Sequence, residues 1–564
     1  MNNKILSIIF FLFPILSLFI LFRCGADMGM TYLEDGGFGL SDYGSSYRDA
    51  QSQYDTGYTY DYGNISKDTG YVEPEKPNPY AAVPPITSQK YLYILNPSNN
   101  SIAVIEPETL KVFSIKIDFS PKNLLVIPNT DYAIVLAENA SRLAMLSIEG
   151  ETARTISFSL GQAYNDISVS PDGKYIIAFF NEQLRKNNEV YPGEGRINLI
   201  NASDISLLIN DPNKKIYKEI GVGRRITNIF YSTEQNTAYI VCKERIYILR
   251  FDDPFNERGE KEFIDIDPDF TSNVNTRFAY YVPNTNYIIL KYITGNSIFI
   301  ASTDGNLTKK IDFEGAITDL KFTKDMTKII ISFRDIGKIK IIPVPDGIID
   351  ISQIKEIDLG NFMAGSVELC ENETYKKAIL YTNVYYREEI AILNLEDYTY
   401  EKIDHKNGLN KAINYIVCAP DGNTAIIIHK KGNDPDEDDP VEINNNNQEG
   451  FSVFGLKREI LNTELLSTTQ PKSVSFLYDS NYAMVTATNA TINDYKAYMV
   501  DLSKPIIKDD KIQFFSDIIY TGSIPQKDIF YVLQKHPVGR ISFIFMPSMT
   551  MKTITGFELN SLVQ

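Results

Sequence analysis

The chain has 564 residues, 43% of them apolar, enough for several small domains or one large repeat array. Its 36 Tyr and 31 Phe, with Ile frequent throughout, favour strands over helices. The net charge of −17 repels phosphate backbones and argues against a nucleic-acid partner.

Residues 1–24 carry Lys4 and then an apolar stretch from Ile5 to Phe22, interrupted only by Ser and Pro14. This is an export segment and stands outside the folded part. Three readings follow. Leu21-Phe22-Arg23-Cys24 before Gly25 resembles the lipobox of bacterial lipoproteins, which implies acylation of Cys24, although Arg23 stands where that pattern has a small residue. The stretch is also just long enough for an uncleaved transmembrane anchor. It also suits an ordinary cleaved signal. Each reading places the remainder outside the cytoplasm; the lipid anchor places it in the cell envelope, on the outer or inner membrane, facing the periplasm or the cell surface, and the cleaved signal releases it as a soluble protein.

Residues 25–87 hold ten acidic residues against three basic ones, nine Tyr, many Gly and Ser, and a Pro-rich end. With few aliphatics and no apolar period, they read as a disordered acidic stalk. A coil of that length spans about 45 Å.

From Gln89 onward, apolar runs of five to eight residues alternate with turn residues, as in YLYIL, YAIVLA, YIIAFF, TAYIVC and TAIIIH. These are strand signals, and no amphipathic helix is evident after residue 88. A tight turn recurs between runs. Ser170-Pro171-Asp172-Gly173-Lys174-Tyr175 precedes IIAFF, and Ala419-Pro420-Asp421-Gly422-Asn423 precedes TAIII. Degenerate copies include TKDMTK at 323–328 and PQKD at 525–528. Pro sets φ at the first corner, and Asp-Gly or Asn tolerates the second, so each turn joins two antiparallel strands. The period averages about 50 residues and holds four strand-like runs, exemplified by residues 273–314. Four-stranded meanders bury both faces by stacking radially, which predicts an all-β chain with a single large propeller over residues 88–564.

These units resemble the YVTN-type and WD-like repeats of bacterial β-propellers, best at Ser170 to Tyr175 and Ala419 to Asn423. The chain has no Trp, so the Trp-Asp dipeptide is absent, and the YVTN tetrapeptide is missing too. Nine turn markers and three leading strands predict about eight to ten blades. The first unit lacks a first strand, which the tail from Phe557 to Val563 is expected to supply, closing the ring with both chain ends.

The second-to-third connections are long at 181–195, 383–387, 430–450 and 489–494, predicting one elaborated face and one plain face. Candidate partner-binding residues on these loops are Tyr191, Tyr385, Tyr386, Arg387, Glu437 and Asp439. Asp434, Asp436 and Asp438 alternate as at the start of a Ca²⁺ loop, but Asp439 stands where such a loop needs Gly and no Glu sits at the twelfth position, so a solvated acidic loop is the better fit. Cys242, Cys370 and Cys418 lie in or beside apolar runs without CxxC spacing and read as buried free thiols, a disulfide being compatible with export but not indicated. The three His are far apart, and no G-x-S-x-G elbow or P-loop occurs.

The sequence therefore points to a non-catalytic envelope scaffold that recognises a protein, peptide or glycan through one rim. Some propellers of the resembled type are lactonases with a channel metal, and a propeller hydrolase is the alternative.

Overall fold

The computed structural model describes Glu75, Thr87, Ser88 and residues 90–557 with short interruptions, the longest at 186–194, 253–261 and 432–447. Cys24, Tyr191, Asp434, Asp436, Glu437, Asp438 and Asp439 lie outside the described residues.

The strands form ten antiparallel sheets, taken here as blades 1 to 10 in chain order. Blade 1 has three described strands, Leu92–Asn96, Ser101–Glu106 and Lys111–Lys116, and the other nine have four. Residues 273–314 form blade 5 as the pattern predicts, with Arg277–Val282, Tyr287–Tyr292, Ser297–Ser302 and Thr308–Asp312 paired in sequence order. Second strands such as Ala133–Ala137 and Ile529–Gln534 are buried along their whole length, since each lies between two strands and under a neighbouring sheet. Fourth strands such as Ile506–Phe514 are largely exposed.

Ten apolar clusters hold the sheets together, and each joins one blade to the next. Ile134 and Leu136 of blade 2 pack with Ile176 and Ala178 of blade 3. The series runs on to Met484 and Met499 of blade 9 against Phe530 and Val532 of blade 10. The tenth cluster closes the ring. Leu92, Ile94, Ala103 and Ile105 of blade 1 pack with Tyr531, Leu533, Phe543 and Phe557 from the other end of the chain. The fold is thus a ten-bladed β-propeller. The tail beyond Phe557 lies outside the described residues, so its expected strand does too. On the side where blade 1 lacks a strand, Thr87 pairs with Leu92 in an antiparallel bridge.

The recurrent turn owes its shape to side-chain bonds. Ser170 Oγ donates to Asp172 (2.6 Å) and accepts the Tyr175 N–H (2.9 Å), while Asp172 also accepts the Lys174 N–H (3.1 Å). Thr323 and Asp325 repeat this in the degenerate copy, at 2.7 Å. Gly422 has φ +68°, and a Cβ there would stand 2.8 Å from the Glu371 backbone of the preceding blade. Met326 takes the same left-handed position at φ +57° without being Gly.

Two expectations are corrected. Cys370 and Cys418 form a disulfide, with Cα atoms 5.5 Å apart, between the first strands of blades 7 and 8 (Ser366–Glu371 and Ile413–Cys418); Cys242 is the buried free thiol. Equivalent ends of neighbouring first strands converge toward the axis, which spacing in sequence does not reveal. The face opposite the long loops is not plain either. Third-to-fourth connections carry a 3-10 helix at Ala202–Ile209 and an α-helical turn at Asp346–Ile349.

Candidate functional site

Second-to-third connections and inter-blade loops share one rim because consecutive strands alternate in direction. On that rim, blades 6, 7 and 8 build a polar cluster. Arg334 follows the second strand of blade 6, Lys328–Phe333. Thr382 and Asn383 follow the second strand of blade 7, Lys376–Tyr381. Gly365 and Ser366 open the first strand of blade 7. His429 ends the second strand of blade 8, Thr424–His429, and Lys430 follows it.

At the centre is the Arg334 guanidinium, with 1% of its side chain exposed. Glu75, from the stretch expected to be a stalk, reaches it with a side chain only 7% exposed. Glu75 Oε1 accepts from Arg334 Nη1 (2.7 Å) and Thr382 Oγ1 (2.8 Å). Glu75 Oε2 accepts from the Asn383 N–H (2.8 Å) and Ser366 Oγ (3.2 Å). Charge-assisted bonds of this kind are the stronger class. Arg334 Nε also donates to Asp335 (3.0 Å). Burial works against the guanidinium charge, but Glu75 and Asp335 more than offset it and hold its pKa above the ordinary value. A Cβ at Gly365 would overlap the Glu75 carboxylate, so glycine leaves the room the anion fills.

Around this pocket lie exposed aromatics. The Tyr385 ring stands 5.2 Å from the Arg334 guanidinium, and Lys430 Nζ sits 4.6 Å from the Tyr386 ring centre. Both rings are about two-fifths exposed, at 42% and 41%. Lys430 Nζ also donates to the Asn383 and Tyr385 carbonyls, each at 2.9 Å, so blade 8 fixes the loop that presents the Asn383 N–H. The Arg387 carbonyl accepts from the Ile413 N–H (3.1 Å). Thus Tyr385, Tyr386 and Arg387 share one loop beside the pocket. Beneath them His429 donates to or accepts from Ser452 Oγ at 2.7 Å, and burial followed by the nearby Lys411 charge lowers its pKa to about 4.

Acidic residues of the first strands bridge neighbouring blades. Asp166 accepts from Asn123 Nδ2 (3.2 Å), Asp319 from the Val367 N–H (2.9 Å), and Glu368 from the Cys418 N–H (3.0 Å). Among the described residues, no group of three or more His, Cys, Asp or Glu is placed to hold a metal. No described helix is long and apolar enough to cross a membrane.

Sequence reasoning found the loop at 383–387 but missed Glu75, Arg334, Gly365, Ser366 and Thr382. The one local signal was a charge directly after the apolar run KIIISF.

No protein family and no curated protein matches the sequence. The chain is similar to the solved dihydro-heme d1 dehydrogenase NirN in complex with DHE, at 13% identity over 71% of this chain and 75% of that one, with a TM-score of 0.38. It is also similar to a eukaryotic initiation factor (11% identity, 76% and 97% covered, TM-score 0.44). A third is the Kuenenia stuttgartiensis hydrazine synthase (14%, 61% and 99%, TM-score 0.31). These likenesses are too distant to carry a functional reading.

Proposed function

We propose that this propeller is a non-catalytic scaffold of the cell envelope that binds a protein or peptide through the rim of blades 6 to 8. One observation carries the reading: the exposed Tyr385 and Tyr386 stand directly beside the Arg334 and Lys430 cations on a braced loop. Aromatic rings and Arg are the side chains that contribute most to protein interfaces. The propeller supplies the rigid mount that such loops need. The Cys370–Cys418 disulfide supports an oxidising compartment, in keeping with an exported chain.

The test is capture of envelope proteins from solubilised membranes by the full chain. A Tyr385→Ala/Tyr386→Ala variant of unchanged thermal midpoint is expected to lose the captured species. Retention of every captured species by that variant would move the binding surface elsewhere. Labelled palmitate incorporated by the wild type and absent from Cys24→Ala would support the lipid anchor; label persisting in the variant would remove it.

A further inference from the structure

Two buried arginines sit on the long-loop rim, and they are satisfied differently. Arg277 donates to the backbone carbonyls of Lys243, Phe270 and Cys242 at 2.9, 2.8 and 2.7 Å, which ties blade 5 to blade 4. Arg334 instead meets a carboxylate that arrives from 259 positions away in sequence. That carboxylate receives two bonds on each oxygen, all four from donors of the propeller, and Gly365 provides the space. The pocket is therefore a receptor for one carboxylate, and these four donors all belong to the propeller.

We propose that this pocket recognises a glutamate side chain of a partner peptide, and that Glu75 occupies it in cis until the partner displaces it. This rests on the scaffold reading and names what the rim binds. The occupant already in place is a peptide carboxylate, and the exposed Tyr385 ring stands 5.2 Å from the Arg334 guanidinium that binds it. A buried ion pair gains little over the separated, hydrated charges, but a buried guanidinium that loses one of its two carboxylates is costly, since Asp335 alone remains. The pocket therefore favours being filled while discriminating weakly between one glutamate and another. Tethering gives Glu75 its advantage, through an effective concentration in the millimolar range. A partner overcomes this by adding contacts on the exposed Tyr385 and Tyr386 rings.

The experiment uses the full chain in detergent micelles and a fluorescein-labelled peptide of sequence Val-Glu-Pro-Glu-Lys-Pro-Asn, which is residues 72–78. By fluorescence polarisation, Glu75→Gln protein is expected to bind the peptide about tenfold more tightly than wild type, because the cis competitor is gone. Adding Gly365→Ala to that background is expected to abolish binding while leaving every donor in place. Equal affinity of wild type and Glu75→Gln would overturn the proposal, and so would undiminished binding of a peptide carrying Gln in place of the second Glu. Acetate displacing the peptide at equal concentration would reduce the pocket to a free-anion site and overturn the peptide assignment. Failure of the scaffold reading is separately visible as envelope capture that survives loss of Tyr385 and Tyr386.

Discussion

Position 429 accepts a neutral imidazole. His429 is buried at the end of a strand, bonded to Ser452 and close to the Lys411 charge, and its pKa falls to about 4. The unfolded chain protonates near 6.5, so between those two values the unfolded state binds the extra proton and stability falls as pH falls. The contribution is complete above pH 6.5 and is lost progressively down to pH 4, amounting to about 3 kcal/mol. His429→Gln is expected to flatten the acid side of a urea-midpoint profile across that window; parallel profiles would contradict it. The sequence shows His429 as the last residue of TAIIIH, but not that the third strand would cover it with Ser452. Arg334 is similar. Its place after an apolar run is visible, whereas a partner 259 positions away leaves no local mark.

Between blades, the element that matters is the first strand. Its apolar content is modest, because it bonds sideways to the next first strand as well as along its own sheet. Asp319 reaches the Val367 N–H, Glu368 the Cys418 N–H, and Ser473 lies 2.7 Å from Thr521 in the same manner. The disulfide belongs to this set and closes a loop of 48 residues. A loop of that length corresponds to about 4 kcal/mol of stabilisation through the unfolded chain. Cys370→Ala/Cys418→Ala is expected to lower the unfolding free energy by that order, seen as a lower denaturation midpoint. Under reducing conditions wild type should drop to match it; a midpoint unmoved by the double substitution would remove the staple's role. Strands and their order were legible because alternation and turn chemistry are local. The pairing of Cys370 with Cys418 was not, because it depends on how far neighbouring sheets rotate about the axis.

At the scale of the whole molecule, each of the ten seams has its own apolar cluster. The seam between blades 10 and 1 has no chain running from one blade to the other; it is held by packing, with Phe557 buried against Leu92 and Ile94, and by the exposed Lys527–Glu108 ion pair (2.7 Å). Phe557→Ala is expected to cost about 3–5 kcal/mol. It should also raise the unfolding rate more than a matched Phe299→Ala inside the seam of blades 4 and 5, measured by stopped-flow dilution into urea. Equal rates would mean that the ring does not open first where the chain ends meet. The repeat count and the meeting of the two chain ends were readable, from the turn markers and the missing first strand of the first unit, while the side chains that join the ends were not, since they depend on which faces meet in space. Glu75 and Thr87 are twelve residues apart, a reach of at most about 40 Å. Yet Glu75 is fastened at blades 6 and 7 and Thr87 at blade 1, on opposite sides of the ring. The chain thus grips the wheel at two points across a diameter. A pull applied upstream of residue 75 would load the clasp at Arg334 before it reached Thr87 and the seam beside blade 1.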